Sequence, residues 1–171
     1  MGDGDDTSAS AASSDAASSQ PASSAAEGLR VDFYVIEEAA PAARLKVACR
    51  LAEKAYLASQ RVLIWHTERG DLEALDELLW TFADGSFVPH EWLTSNGAAE
   101  APVLLGAGSP PGGTFDFIIN LAAEPPPFLH LSRRIGEIID GDAERRRAGR
   151  VRFKAYRELG VEPVTHSLRP E

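Results

Sequence analysis

The order of apolar and polar residues predicts strands that alternate with helices from residue 29 onward. Residues 29–36, Leu-Arg-Val-Asp-Phe-Tyr-Val-Ile, are rich in β-branched and aromatic side chains, which is typical of a strand. Pro41, which the first turn of a helix tolerates, precedes apolar residues at helical spacing that continue to about Ser59. Residues 61–65, Arg-Val-Leu-Ile-Trp, contain a continuous apolar run typical of a strand buried on both faces, and a second helix is predicted to begin at Asp71.

The second half of the chain continues this alternation after a stretch predicted to be irregular. The predicted elements there are strands at residues 103–105 and 115–121, a short helix within residues 125–134, a segment at residues 134–139 that fits a strand slightly better than a helix, and a helix from about Asp142 to Leu159 that ends at Gly160. Strands and helices in this order imply right-handed crossovers and a mostly parallel sheet. The predicted fold class is therefore α/β.

Residues 1–28 differ from the rest of the chain because they consist mainly of Ala, Ser and Asp. Such a segment has almost nothing to bury, so we predict a disordered extension, residues 1–28, followed by one domain at residues 29–171. The net charge of the chain is -9, and residues 1–27 contribute five acidic residues and no basic one. An acidic chain is not expected to bind nucleic acid indiscriminately.

The composition also restricts location and cofactor chemistry. The sequence starts without the basic and apolar regions of a secretory signal and contains no run of roughly 18 apolar residues, so a cytoplasmic protein without membrane contact is expected. A single cysteine, Cys49, excludes an intramolecular disulfide and a cysteine-based metal site. The four histidines lack the spacing of metal ligands. We therefore expect neither a metal nor another cofactor.

Features that could indicate an enzyme are weak. The glycine-rich segment at residues 106–114 lacks the lysine of a P-loop and precedes a strand rather than a helix. Asp116 and Asp140 lie near predicted strand ends, where acid–base catalysis is possible in an α/β enzyme, but no glycine fingerprint follows the first strand. A nucleotide-binding enzyme therefore stays open as an alternative function.

Aromatic residues are concentrated at the end of the second helix and in the loop that follows. No helical period requires large side chains there, and such residues are typical anchors of protein interfaces, although they also cap cores. They are Trp80, Phe82, Phe87 and Trp92.

The last helix is strongly basic, with seven Lys and Arg and two Glu between residues 143 and 158. At 3.6 residues per turn, one side is predicted to carry Arg146, Arg150, Phe153, Lys154 and Arg157. The opposite side, which is expected to face the core, carries Ala148, Val151, Ala155 and Leu159. A basic stripe with an embedded aromatic suits an acidic peptide with an apolar anchor, and it also suits a merely solvated surface or stacking on single-stranded DNA.

Three segments, LDELLWTFADGSFVPH, FDFIINL and RFKAYRELG with Thr165 and His166 downstream, together resemble the chi subunit family of DNA polymerase III. The resemblance extends over roughly residues 29–167. It implies a Rossmann-like three-layer domain without catalytic activity. It further implies an adaptor, monomeric or in a heterodimer, that links the clamp loader to single-stranded-DNA-binding protein and contacts DNA only indirectly.

The resemblance also assigns two groups of binding residues. The surface that contacts the psi subunit of the clamp loader would contain Trp80, Phe87, Val88 and Pro89. The pocket for the acidic C-terminal tail of single-stranded-DNA-binding protein would contain Arg146, Arg150, Phe153, Lys154 and Arg157. The loop at residues 140–143 differs in length within the family, so the apolar wall of that pocket is not assigned.

Overall fold

A seven-stranded, fully parallel sheet forms the centre of the protein in the computed structural model, which describes residues 28–94, 99–108 and 111–169. In chain order the strands are β1 (Arg30–Ile36), β2 (Val62–His66), β3 (His90–Trp92), β4 (Val103–Ala107), β5 (Phe117–Asn120), β6 (Arg134–Ile139) and β7 (Val164–Leu168). Their spatial order is β3-β4-β2-β5-β6-β1-β7. The predicted α/β class with a mostly parallel sheet is confirmed.

Three helices cover the two faces of the sheet. They are α1 (Pro41–Leu57), α2 (Arg69–Thr81) and α3 (Ala143–Glu158), and a short 3₁₀ helix (Leu129–Leu131) precedes β6. Helices α1 and α2 pack on one face, and α3 packs on the other. Because strand side chains alternate between faces, Ile64 belongs to the core under α1 and α2, and Leu63 belongs to the core under α3. Among the described residues, no helix is long and apolar enough to cross a membrane.

The prediction placed most elements within a few residues of their observed bounds but missed two edge strands. Strand β3 lies inside the stretch predicted to be irregular, and β7 lies in the segment after the last helix, to which no element was assigned. Each strand pairs on one side only, β3 with β4 and β7 with β1. The predicted disordered extension lies outside the described residues, apart from Gly28.

The prediction for the core-facing side of α3 was wrong at Val151, although Leu159 does pack against the core. The buried residues of this helix are Gly149, Arg152 and Tyr156, whereas 65% of Val151 is exposed. Gly149 permits a close approach, because a Cβ atom there would overlap the side chain of Ile139 on β6. Arg152 can be buried because it pairs with the carboxylate of Glu137 on β6. One of the seven basic residues is thus part of the core.

Candidate protein interfaces

Two aromatic side chains form an exposed patch where α2 ends, which we call the aromatic patch. Trp80 is 48% exposed and Phe87 is 59% exposed, and their ring centroids lie 5.0 Å apart. Pro89 is half-buried beside them, but Val88 is fully buried in the core. Of the four residues assigned to the psi surface, the side chain of Val88 is therefore not available to a partner in this conformation.

A buried histidine supports the aromatic patch from below. The His90 ring lies 4.6 Å from the Trp80 ring, with Nε2 2.7 Å from Asp76 Oδ1 and Nδ1 2.8 Å from the carbonyl oxygen of Val88. Both oxygens are acceptors, so each ring nitrogen donates where it carries a proton. Trp92 Nε1 donates to the other oxygen of Asp76 (3.3 Å). These contacts fix the orientation of Trp80.

The other two aromatics of this region belong mainly to the core. Phe82 and Trp92 are half-buried and pack against the residues under α1 and α2. The guanidinium of Arg69 lies 4.0 Å above the Trp92 ring. The sequence predicted one candidate interface with four aromatic residues. In the structure two of them, Trp80 and Phe87, are exposed to solvent.

On the opposite face, α3 is attached to the sheet by a buried polar network. Glu137 on β6 accepts hydrogen bonds from Arg152 Nε (2.7 Å), Asn120 Nδ2 (2.7 Å) and the Tyr156 hydroxyl (2.8 Å). Burial raises the pKa of Glu137, and the adjacent Arg152 guanidinium opposes that rise. Burial and the Glu137 carboxylate raise the pKa of Tyr156, which remains a hydrogen-bond donor. This network fixes the rotation of α3 about its axis.

The rotation brings four of the five predicted basic-helix residues to one groove of about 440 Å³, which we call the α3 groove. It is lined by Arg150, Phe153, Lys154, Arg157, Glu158 and Glu162. The Phe153 ring packs against Phe33 on β1, with centroids 5.2 Å apart, so its position is fixed by the core. The groove therefore combines an ordered aromatic wall with three cations.

Arg146 does not join this groove. Its guanidinium donates to the backbone oxygens of Asp140 (3.4 Å) and Glu37 (3.2 Å), at the loops that follow β6 and β1. Its neighbour Arg145 pairs with the buried Asp140 carboxylate (2.7 Å), and this contact lowers the pKa of Asp140. Both arginines hold the start of α3 against the carboxyl edge of the sheet.

The candidate catalytic groups do not assemble into a site among the described residues. Asp116 accepts a hydrogen bond from the backbone N–H of Arg61, and Asp140 pairs with Arg145. Cys49 is buried, and burial raises the pKa of its thiol to about 12. No group of three or more His, Cys, Asp or Glu that could hold a metal ion occurs in the described part of the chain.

Comparison with known families identifies the chain. The family model described as DNA polymerase III chi subunit, HolC, matches residues 29–164. The chain belongs to the DNA polymerase III chi family. The DNA polymerase III subunit chi of Pseudomonas aeruginosa is 43% identical over 139 residues, which cover 81% of this chain and 96% of that protein. The Haemophilus influenzae subunit chi is 27% identical over 80% of this chain and 95% of that protein.

Solved structures of other proteins show the same type of fold. The C-terminal domain of the DEAD-box protein Dbp5 matches with a TM-score of 0.53 and 11% sequence identity, over 81% of this chain and 91% of that chain. At this identity the likeness concerns the fold alone. Membership of the chi family, in contrast, gives this chain an accessory role in DNA replication within the polymerase III complex.

Sequence reasoning missed the residues that position the two surfaces. His90 was considered only as a metal ligand, yet it lies under Trp80. Glu137 was not singled out, although a carboxylate inside the apolar strand Arg-Ile-Gly-Glu-Ile-Ile indicates a buried partner. The cluster of basic residues on the following helix, which includes Arg152, could have indicated that partner.

Proposed function

We propose that this chi subunit connects two replication proteins, binding the psi subunit of the clamp loader with the aromatic patch and the acidic C-terminal tail of single-stranded-DNA-binding protein with the α3 groove. The observation that carries the proposal is the α3 groove. Three cations line it together with the partly buried ring of Phe153. No step of chemistry is required of the chain, which acts by holding its partners.

The chemistry of the groove fits an acidic peptide that ends in an apolar residue. Each exposed charge pair contributes only about 0.2–1 kcal/mol, so charge alone does not offset the entropy lost on binding. Burial of one aromatic side chain, roughly 150–250 Å² at about 25 cal/mol per Å², contributes on the order of 4–6 kcal/mol before these costs. The apolar end of the peptide thus contributes more binding free energy than its charges do, and the cations orient the rest. We expect an affinity of about micromolar order.

The aromatic patch fits a protein partner for a different reason. Trp80 and Phe87 together expose apolar area that water solvates poorly, and His90 and Asp76 hold Trp80 in place before binding. A side chain that is already ordered loses little entropy when a partner covers it. Large, preorganised aromatics are typical of interface hot spots.

Isothermal titration calorimetry with a short acidic peptide that ends in Phe tests the groove. Arg150→Ala should weaken binding about two- to five-fold, since it removes one exposed charge pair. Replacing the terminal Phe of the peptide by Ala should weaken binding far more, because the apolar contact is lost. Lys46→Ala, which removes an exposed cation from α1 on the opposite face, is the matched control and should leave the affinity unchanged. Equal affinities of the Arg150→Ala and wild-type proteins would place the peptide elsewhere.

The same titrations separate this function from its alternatives. Oligo-dT and a nucleotide should give no saturable heat at moderate salt if the groove is a peptide site. Saturable oligo-dT binding that Arg150→Ala weakens would instead assign the groove to single-stranded DNA.

A further inference from the structure

We propose that an acidic segment of the same chain, Asp3, Asp5 and Asp6, docks in the α3 groove and competes with the acidic peptide. The competition rests on the proposed function of the groove, whereas the docking itself does not. The segment precedes the described residues. Its acidity, the charge of the groove and the place where it joins the domain support the proposal.

Charge complementarity is the first support. Residues 1–27 contain five acids and no base, and three of the acids lie within four residues of one another. The α3 groove carries Arg150, Lys154 and Arg157 against Glu158 and Glu162. Arg157 and Glu162 are both largely exposed and lie 3.5 Å apart, so this weak pair opens readily to admit another carboxylate.

The place where the segment joins the domain is the second support. Helix α3 runs from the carboxyl edge of the sheet, where β6 ends, to the amino edge, where β7 begins. The groove residues of its last two turns therefore lie near the amino edge, where β1 also begins. Leu29, directly before β1, is buried in the same core cluster as Val161, which directly precedes the groove residue Glu162, and Leu159 packs against this cluster.

The distance that the segment must span is short for its length. Asp6 precedes Leu29 by 23 residues, which reach at most about 80 Å when fully extended. The three cations span two turns of helix, or about 10 Å. A random coil of 23 residues has a root-mean-square span of about 25 Å and gives an effective concentration of millimolar order. The groove is therefore within reach without any rearrangement of the domain.

A second basic surface lies on α1. Helix α1 carries the exposed Lys46 and Lys54, but it packs on the opposite face of the sheet. Leu29 is buried on the same face of the sheet as the α3 groove, so the segment before Leu29 joins the domain on that face. We therefore assign the acidic segment to α3 and use α1 as the internal reference.

Paramagnetic relaxation in the full-length chain tests the docking without any partner. A nitroxide is attached to Ser8→Cys, since the buried Cys49 with its raised thiol pKa leaves one reactive thiol. At about 20 mM salt, amide signals of residues 150–157 should broaden relative to the reduced label. At about 500 mM salt, where the Debye length falls to a few ångström, the broadening should largely disappear. Broadening of α1 around Lys46 and Lys54, or no broadening of α3, overturns the proposal.

Peptide affinity tests the competition in the same chain. The triple variant Asp3→Asn, Asp5→Asn, Asp6→Asn should bind the acidic peptide about two- to five-fold more tightly than the wild type at low salt, and equally at high salt. The matched control changes three exposed acids of the other face, Glu68→Gln, Glu73→Gln and Glu77→Gln, and shifts the net charge by the same amount. This control should leave the affinity unchanged. Equal affinities of the wild-type and tail variants at low salt overturn the competition.

The two measurements distinguish this proposal from the proposed function. If the peptide binds neither protein but α3 broadens, the function of the groove is wrong and the docking stands. If the peptide binds both proteins equally and α3 does not broaden, the function stands and the docking is wrong.

Discussion

Arg152 and Glu137 form an ion pair that is almost completely buried between α3 and the sheet. The Arg152 Nε donates to Glu137 Oε2 at 2.7 Å, and Arg152 Nη1 donates to the carbonyl oxygen of Ala123 at 2.9 Å. The other Glu137 oxygen accepts from Asn120 and Tyr156. The additional hydrogen bonds fix the positions of both side chains. Loss of one member of the pair leaves the other as a buried charge without its counterion.

Arg152→Met should therefore lower the free energy of unfolding by roughly 3–5 kcal/mol, a large share of a domain's stability. Arg157→Met is the matched control on the same helix, because Arg157 pairs with Glu162 in solvent and should contribute at most about 1 kcal/mol. Urea unfolding followed by circular dichroism compares the two variants. A loss for Arg152→Met as small as that for Arg157→Met would show that the buried pair does not fix α3.

Asp32 connects three neighbouring strands through one buried carboxylate. Burial opposes its ionisation, but hydrogen bonds from His166 on β7, Arg134 on β6 and Arg30 outweigh that effect and lower its pKa. A carboxyl group with a lowered pKa in the folded state stabilises the fold above its unfolded value, 3.8, and this stabilisation is lost as the pH falls through the folded value.

Unfolding free energy should consequently fall as the pH drops from about 5 toward 2. Asp32→Asn should be less stable than the wild type at pH 7 and should lose less stability over that range, because it has no carboxylate to protonate. Thermal unfolding at several pH values measures both. Parallel pH profiles for the two proteins would argue that other carboxyl groups, such as Asp140, control acid unfolding.

At the scale of elements, one glycine determines how closely the loop before α3 approaches the loop before α1. The N–H of Gly141 donates to the carbonyl oxygen of Glu38 at 2.8 Å. A Cβ atom at Gly141 would overlap the carbonyl oxygen of Glu37 and lie 2.7 Å from the backbone nitrogen of Ala39. These are backbone atoms and cannot rotate away as a side chain would.

Gly141→Ala should therefore destabilise the domain by roughly 1–3 kcal/mol or more. Gly70→Ala is the matched substitution, since Gly70 lies in the first turn of α2 with nothing within 4 Å of the added atom. There alanine should stabilise by a few tenths of a kcal/mol up to about 1 kcal/mol, because it favours the helix. Melting temperatures that move in the same direction for both variants would contradict this account of the loop contact.

The elements that were predicted correctly are those whose burial dictates an apolar pattern. Strands β2 and β5 have neighbours on both sides and consist of continuous apolar runs. Edge strand β7 is mostly exposed, so Thr165, His166 and Ser167 obscure its pattern. Strand β3 has three residues, too few to show any period. The local pattern of apolar residues depends on burial. An exposed edge strand is held by hydrogen bonds to a strand that is distant in sequence, and the local pattern does not show such pairing.

The same limit explains the partial success with the candidate sites. Trp80 and Phe87 were predicted to lie on the psi surface, and both are exposed. Val88 was predicted to lie there too, but it is buried. On α3 the helical pattern predicted Val151 in the core, but Val151 is exposed and its neighbour Arg152 is buried. The ion pair with Glu137 allows Arg152 to be buried, and a contact over 15 residues of sequence is not visible in a helical period.

At the scale of the whole molecule, the two proposed surfaces lie on opposite faces of the sheet. Trp80 is at the end of α2, which covers one face, and Arg150 is on α3, which covers the other. The two clusters of core residues are separated by the strands themselves. Substitutions more than about 10 Å apart that share no contacts have additive effects to within a few tenths of a kcal/mol. Two partners should therefore bind at once and independently.

A set of single and double variants tests this independence by calorimetry. Trp80→Ala should weaken psi binding by about 2 kcal/mol or more, roughly 30-fold, and leave the acidic peptide unaffected. Arg150→Ala should weaken binding of the acidic peptide about two- to five-fold and leave psi binding unaffected. The double variant should show both effects, each with its single-variant size. Leu57→Ala, which truncates an exposed apolar side chain at the end of α1, serves as the control for nonspecific loss of apolar surface. If saturation with psi changes the dissociation constant of the peptide by more than about two-fold, the sheet transmits binding from one face to the other, and the two surfaces form one coupled site.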